Sequence, residues 1–261
     1  MDINVNGKVV LVTGSTQGIG QAVAMECARS GAAGIIITGR RADAGKAVVE
    51  EIEKLGVKAS MVAADLLAEQ AGERIFDHAL SAFGRVDALV NCAGLTTRAG
   101  AEDADRATWQ ALFKVNTEEA FFLMQRMIQH LKAEKRSGSI VNILSINMHG
   151  GRKDLTVYSA TKAALALITK NVAQHHRWDR IRANGINVGW ADTPGERIMQ
   201  AQTLGHGDGW LEEAEAKQPF GKLLHADDIA RLAVYLISET SSPMTGAIID
   251  QEQSVAGGLD A

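Results

Sequence analysis

The feature that most constrains this chain is an alternation. Short apolar runs of strand length recur from end to end, and each is separated from the next by a longer helix-like segment. The runs fall at residues 8–13, 35–38, 58–63, 86–90, 139–144, 182–188 and 247–250. The helix-like segments include an alanine-rich stretch to about Ser30, then 42–55, 68–83, 108–133, 157–175 and 226–237. Runs that are apolar at consecutive positions, rather than at every second one, suit strands buried on both faces. Helical crossovers between such strands make the sheet parallel. The expectation is one α/β domain over 1–261: a doubly wound, Rossmann-like parallel sheet of about seven strands with helices on both faces. No Pro/Gly/Ser-rich linker divides the chain. Between 193 and 217 the periodicity fades and Gly205, Gly207 and Gly209 cluster, which predicts an irregular lid or binding loop.

Composition serves mainly to exclude. With 46% hydrophobic and 22% charged residues the chain can fill a core. A net charge of -4 provides no long-range attraction to nucleic acid or anionic membrane. No apolar run is long enough to span a bilayer, and Met1-Asp2-Ile3-Asn4 does not resemble the start of a signal peptide. The two cysteines, Cys27 and Cys92, form neither a CxxC nor a disulfide framework. No metal site is expected, and a cytoplasmic setting is the default. The adjacent His175 and His176 point about 100° apart on a helix and read as a polar helix end.

Thr13-Gly14-Ser15-Thr16-Gln17-Gly18-Ile19-Gly20 follows the first strand and opens the first helix. A pyrophosphate reaches a helix N-terminus only where side chains do not block the backbone amides. The spacing G-x-x-x-G-x-G has no Gly-Lys-Ser/Thr ending, which disfavours a triphosphate P-loop. Taken alone it is either a tight turn or a dinucleotide cradle; its place between strand and helix favours the cradle. At the end of the second strand a carboxylate would bind the ribose hydroxyls of NAD, whereas an arginine favours the 2′-phosphate of NADP. Here Arg40 and Arg41 follow Gly39, so NADP is favoured over NAD; the plainer alternative is two solvated arginines. Asp65 ends the third strand, beside Leu66. It either accepts a hydrogen bond from an adenine or caps the following helix.

Tyr158 and Lys162 stand at i and i+4, on one face of a helix. A phenol of pKa about 10 is a poor base at neutrality, and a neighbouring ammonium would lower that value toward a useful one. Ser145 ends the fifth strand 13 residues earlier. Its hydroxyl can return to the same place and bind a substrate oxygen where charge develops.

In this combination and order the chain resembles the short-chain dehydrogenase/reductase family over nearly its whole length. The matching features are residues 13–20, Asp65, Asn91-Cys92-Ala93-Gly94, Asn116, Ser145, Tyr158 with Lys162, and Arg182-Ala183-Asn184. The resemblance implies an NAD(P)-dependent oxidoreductase moving hydride between a nicotinamide and an alcohol or carbonyl carbon. It implies a Ser145–Tyr158–Lys162 triad with Tyr158 as acid/base. Lys162 would hold the nicotinamide ribose, and Asn116 would hold a water linking Lys162 to solvent. Spacing alone reads Asn116 as a kink in a long helix. The resemblance places Gly14, Ser15, Gln17, Gly18, Ile19 and Gly20 around the phosphates, with Asn91, Ala93 and Gly94 along the ribose and central cleft. The Ala191 backbone and Thr193 would meet the carboxamide. Two departures stand out: Cys92 where a second asparagine is usual, and Val188 where proline is usual.

The loops expected around the substrate carry Thr96, Arg98, Asn147, His149, Arg152, Trp190, Glu196, His206 and Trp210. That polar set predicts a sugar, polyol or hydroxy acid, with Ser145, Asn147, Arg152 and Trp190 as its contacts. The resemblance also implies a homo-oligomer, tetramer or dimer, built on the helices over 108–133 and 157–175. The rival from another class is a non-catalytic dinucleotide-binding regulator, which would not need Asn116, Ser145, Tyr158 and Lys162 together.

Overall fold

The computed structural model describes residues 3–256. Seven strands form one sheet in which every neighbouring pair is parallel. They are β1 (Val9–Val12), β2 (Gly34–Gly39), β3 (Lys58–Ala63), β4 (Ala88–Asn91), β5 (Gly138–Ser145), β6 (Ile181–Val188) and, last in the chain, β9 (Ile248–Gln251). Their order across the sheet is β3-β2-β1-β4-β5-β6-β9. A separate two-stranded bridge pairs β7 (Ala191–Asp192) with β8 (Leu224–His225).

Strand alternation divides the core in two. Val10, Val12, Ile35, Ile37, Val90 and Ile143 face one layer, made by α1 (Gly18–Arg29), α2 (Ala42–Lys54) and α9 (Ala226–Ile237). Leu11, Ile36, Leu89, Ile140 and Leu144 face the other, made by α3 (Ala71–Phe83), α5 (Glu119–Ala133) and α6 (Thr156–His176). Consecutive residues of one strand thus enter opposite cores, which is why the strands read as unbroken apolar runs. From β1 the chain winds outward through β2 and β3, then returns to β4 on β1's other side. A crevice opens at the carboxyl ends of strands where winding reverses in this way.

Three expected elements differ. The helix expected from 68 begins at Ala71, because Gln70 adopts a left-handed backbone (φ 53°) that breaks the first turn. The single helix expected over 108–133 is three pieces: α4 (Arg106–Phe113), a π-helical turn at Lys114–Glu118, and α5. Its start lies earlier because Asp105 accepts from the Thr108 amide at 2.6 Å. The expected irregular lid is mostly helical: α7 (Pro194–Ile198), a π turn at Met199–Thr203, and α8 (Trp210–Ala216). Trp210, Ala214 and Leu223 are buried there with Trp190 packed against them, so the lid has an apolar centre of its own.

The Arg182-Ala183-Asn184 motif is structural. The Arg182 guanidinium donates to Ser238 O, Ser241 Oγ and Met244 O, while Asn184 bonds Met244 O and the Ala247 amide. Together they pin the segment leading into β9. Among the described residues no helix is long and apolar enough to cross a membrane. No group of three His, Cys, Asp or Glu side chains there could hold a metal ion.

Candidate active site

At the winding reversal the glycine turn is built by close contact. The Thr13 hydroxyl accepts from the Cys92 and Ala93 amides at 3.0 and 3.1 Å, tying the end of β1 to the end of β4. Gly14 has φ +63°, and a Cβ there would lie 2.8 Å from Ala93 Cα. A Cβ on Gly20 would lie 2.4 Å from the Gly14 carbonyl oxygen. Gly18, with φ +57°, opens α1 and faces Thr193, whose Cβ would be 3.7 Å from an added methyl. Two of the glycines are therefore dictated by packing and the third by conformation. Gln17, the N-cap of the 12-residue α1, makes no side-chain cap, and the first turn has no acid. The amides at this helix end are left facing the cleft.

The cleft has a volume of about 570 Å3. Its walls bring together Gly14, Gln17, Gly18, Ile19, Gly20, Arg40, Arg41, Asp65, Leu66, Ala93, Gly94 and Thr193. Thr16, Thr38, Leu95 and Val115 also line it, although the sequence offered no pattern to single them out.

Three residues expected at the cofactor do not line this cleft. Ser15 is fully buried: its amide donates to Thr38 O, and its hydroxyl bonds Val12 O and accepts from the Thr38 amide. It staples β1 to β2. The Asn91 amide nitrogen donates to Asn142 Oδ1 at 2.8 Å, within the core. Ala191 is buried in its bridge with Leu224. Thr193, on the cleft wall, also caps α7 by accepting from the Glu196 amide.

At the adenosine end, Arg40 is exposed, and Arg41 donates to Gln17 Oε1, joining the β2 turn to the glycine turn. Asp65 does not cap α3. Its carboxylate accepts from the Leu67 amide at 3.0 Å, and α3 begins six residues on, after the left-handed Gln70.

The triad residues converge beside this cleft. Ser145 ends β5, and Tyr158 and Lys162 occupy the first two turns of α6. All three are buried. Burial dominates and holds the Tyr158 phenol above its ordinary pKa, although the nearby Ser145 hydroxyl favours the phenolate. Glu196 pushes the same way, while the Arg98 charge opposes it. The expected lowering by Lys162 is not how the pair sits. Lys162 Nζ donates to Ile143 O at 2.8 Å and lies over the Tyr158 ring, 5.9 Å from its centre. Burial lowers the Lys162 pKa to about 8, because a low-dielectric site disfavours its charged form. Gly94 links the two regions: it lines the cleft, and a Cβ there would be 3.6 Å from Lys162 Nζ and 3.5 Å from Asn116 Oδ1. Cys92, at the family's usual second asparagine, is half-buried on the cleft wall, its thiol pushed up to about 12 by desolvation.

Asn116 sits inside the π turn. Its Oδ1 accepts from the Leu95 amide at 2.7 Å, and its Nδ2 donates to Leu95 O and Thr161 Oγ1. The carboxamide thereby holds the loop after β4 against α6. Where spacing suggested a kink the helix takes a π turn, and the side chain is committed to protein partners.

Of the expected substrate contacts, Asn147 is at Ser145, donating from its amide and Nδ2 to Ser145 Oγ at 3.2 and 3.3 Å. Arg152 is half-exposed and makes a two-point ion pair with Asp154 at 3.3 Å. Trp190 packs into the lid against Trp210, and its indole donates to Glu196 Oε1 at 2.9 Å. Glu196, which also accepts from Gln200, lines the cleft; it is the lid residue whose charge reaches Tyr158. Val188, where the family usually has proline, simply continues β6 opposite Gln251.

Comparison with known proteins accords with this arrangement. The short chain dehydrogenase family matches residues 8–203. A 3-oxoacyl-[acyl-carrier-protein] reductase of Aquifex aeolicus is 32% identical over 250 residues, covering 95% of this chain and 97% of the relative. L-rhamnose 1-dehydrogenase (NAD(P)(+)) of Azotobacter vinelandii is 33% identical over 259 residues, covering 97% and 96%. Among solved structures, L-sorbose reductase of Gluconobacter frateurii, complexed with NADPH and L-sorbose, superposes with a TM-score of 0.91. It is 28% identical and covers 99% of this chain and 100% of that one. A glycine cradle at the winding reversal, the Ser145, Tyr158 and Lys162 side chains gathered beside it, and a family match over most of its length make this chain a member of the short-chain dehydrogenase/reductase family, oxidoreductases acting on CH–OH and C=O groups.

Proposed function

We propose that the chain interconverts a small polar secondary alcohol (a sugar, polyol or hydroxy acid) and its ketone, with Tyr158 moving the proton at the substrate oxygen. The observation that carries this reading is the junction at Gly94, a cleft residue on which an added Cβ would lie 3.6 Å from Lys162 Nζ, one turn of α6 from Tyr158.

The cleft fits NAD(P): glycines at two close approaches and a third at positive φ, a helix N-terminus without a side-chain cap, and arginines at the end of β2. The bound nicotinamide supplies or accepts the hydride. The remaining work falls to the chain. In the reductive direction the Tyr158 phenol, kept protonated by burial, gives its proton to the oxygen forming at the substrate carbon. In the oxidative direction the alcohol proton passes to Tyr158 as phenolate, which the Ser145 hydroxyl favours. Asn147 and Ser145 orient the substrate oxygen, and Lys162 offers its ammonium to the cleft at Gly94. Arg40, exposed at the rim, favours NADP over NAD.

The test is absorbance at 340 nm with NADP or NAD and a panel of polyols, sugars and hydroxy acids. Wild type should change the cofactor's redox state with at least one of them. Tyr158→Phe should lower kcat by about 100- to 10,000-fold while cofactor still quenches protein fluorescence. Full activity in that variant would remove Tyr158 from the proton transfer. Bound cofactor with no turnover on any alcohol or ketone would favour a binding protein instead.

A further inference from the structure

The residue that the proposed mechanism leaves unexplained is Arg98. It follows the cleft wall by two residues beyond Thr96, and the backbone holds it in place. The Ala99 amide donates to Asp154 O at 3.0 Å, and the Val157 amide donates to Ala99 O at 3.2 Å. These two bonds fasten the segment to the start of α6, next to Tyr158. Its side chain is only about one-fifth exposed, and its Nε is buried without a hydrogen bond. The one carboxylate it approaches is Asp154, whose Oδ2 is 3.6 Å from that Nε, beyond good hydrogen-bond geometry.

Asp154 is also already engaged. Arg152 grips both of its oxygens, at 3.3 Å each, and this grip is the main reason the Asp154 carboxyl stays below its usual range. Two arginines therefore share one carboxylate, and the half-buried one is the less well served. A guanidinium nitrogen buried with no partner is costly unless an anion completes the group. On the lid side of Tyr158 stands a different kind of group, Glu196, whose carboxylate accepts from Trp190 and Gln200. It is an acceptor suited to hydroxyl groups, not to a second negative charge.

We propose that Arg98 receives the carboxylate of the substrate, so that the physiological substrate is a hydroxy acid or its keto acid rather than a neutral sugar or polyol. The planar fork of arginine matches a carboxylate at two points. The arrangement would place the acid group toward Arg98, the reacting carbinol at Tyr158 and Ser145, and further hydroxyls toward Glu196. This inference rests on the oxidoreductase reading above and narrows its substrate class.

The experiment compares matched acid and neutral substrates of one carbon skeleton, such as D-gluconate with D-glucitol and 3-hydroxybutyrate with 2-butanol, each with NADP and with NAD. In wild type the acid member should have the higher kcat/KM in at least one pair. Arg98→Met should lower the acid-to-neutral ratio of kcat/KM by about 10- to 100-fold, the loss of one charge-assisted bidentate contact. The loss should appear mainly as a raised KM. Arg98→Lys, which keeps the charge without the fork, should fall between the two, and cofactor Kd reports whether each variant is folded. Turnover confined to neutral members, or an equal fall on acid and neutral members in both Arg98 variants, would overturn the carboxylate site and leave the oxidoreductase reading standing. Cofactor binding without turnover of any pair would overturn that reading itself, and this inference with it.

Discussion

Two residues make the same point about charge: spacing names them, while their surroundings decide their chemistry. The i, i+4 relation of Tyr158 and Lys162 was legible because helical periodicity puts both on one face. What spacing could not tell was which atom the ammonium meets. It meets Ile143 O, a strand carbonyl whose position depends on the β5–α6 packing. A linkage prediction follows. The Lys162 pKa is depressed from 10.5 to about 8 by burial, so below pH 8 the folded state carries a desolvated charge that the unfolded state would solvate. Between pH 8 and about 10.5 the unfolded chain binds more protons than the native one, and stability contributed by this site rises with pH. Lys162→Met should therefore melt closest to, or above, wild type at pH 7. Its advantage should shrink as pH is raised through that window, in thermal melts read by circular dichroism. A difference in Tm that does not vary with pH would mean that Lys162 is not desolvated as the structure has it. Arg40 is the converse case, an arginine whose partner must come from outside. Arg40→Ala should weaken NADP by about tenfold or more and NAD far less, measured as Kd by fluorescence quenching. Equal weakening of both would take Arg40 away from the 2′-phosphate.

Elements were legible where one interaction dominates and obscure where two compete. The central strands announce themselves because they feed two cores at once and are largely apolar at consecutive positions. The glycine turn was legible for a similar reason: at Gly14 and Gly20 any Cβ would strike backbone. The π turn at Lys114–Glu118 was not, since periodicity continues smoothly across 108–133. It is tertiary bonding, from Asn116 to Leu95 and Thr161, that accompanies the wider turn. Such a bulge inserts one residue without ending the helix, and is frequent where a side chain is aimed at a site. The lid failed as a loop expectation because its glycines mask short helices. Its order comes from Trp190, Trp210 and Leu223 packing together, contacts between segments more than ten residues apart that no local pattern encodes. Ser15 is the counterexample within a motif. It belongs to the phosphate turn by sequence and to the sheet by hydrogen bonding.

At the scale of the molecule, the cleft, Tyr158, Lys162 and the lid lie on one chain, and the case for self-association comes from another face. The outer helical layer argues for it. The 15-residue α5 and 21-residue α6 are the longest helices, and each leaves a bulky apolar side chain outward: Phe121 is 37% exposed and Leu167 61%. Scattered apolar side chains are ordinary on a monomer. Two on the long helices of one layer, together with the family resemblance, favour a second copy of this chain as the cover. We therefore expect a dimer or tetramer in solution, and a Phe121→Glu/Leu167→Glu double variant to dissociate. A carboxylate forced into a dry interface is disfavoured by several kcal/mol, so the association constant should fall by about 100-fold or more. Light scattering after size exclusion reads this directly. Because no residue placed at the cleft lies on that outer face, the dissociated variant should bind cofactor with an unchanged Kd. An unaltered mass in the variant, or a wild type that is already monomeric at micromolar concentration, would show that these side chains face only solvent.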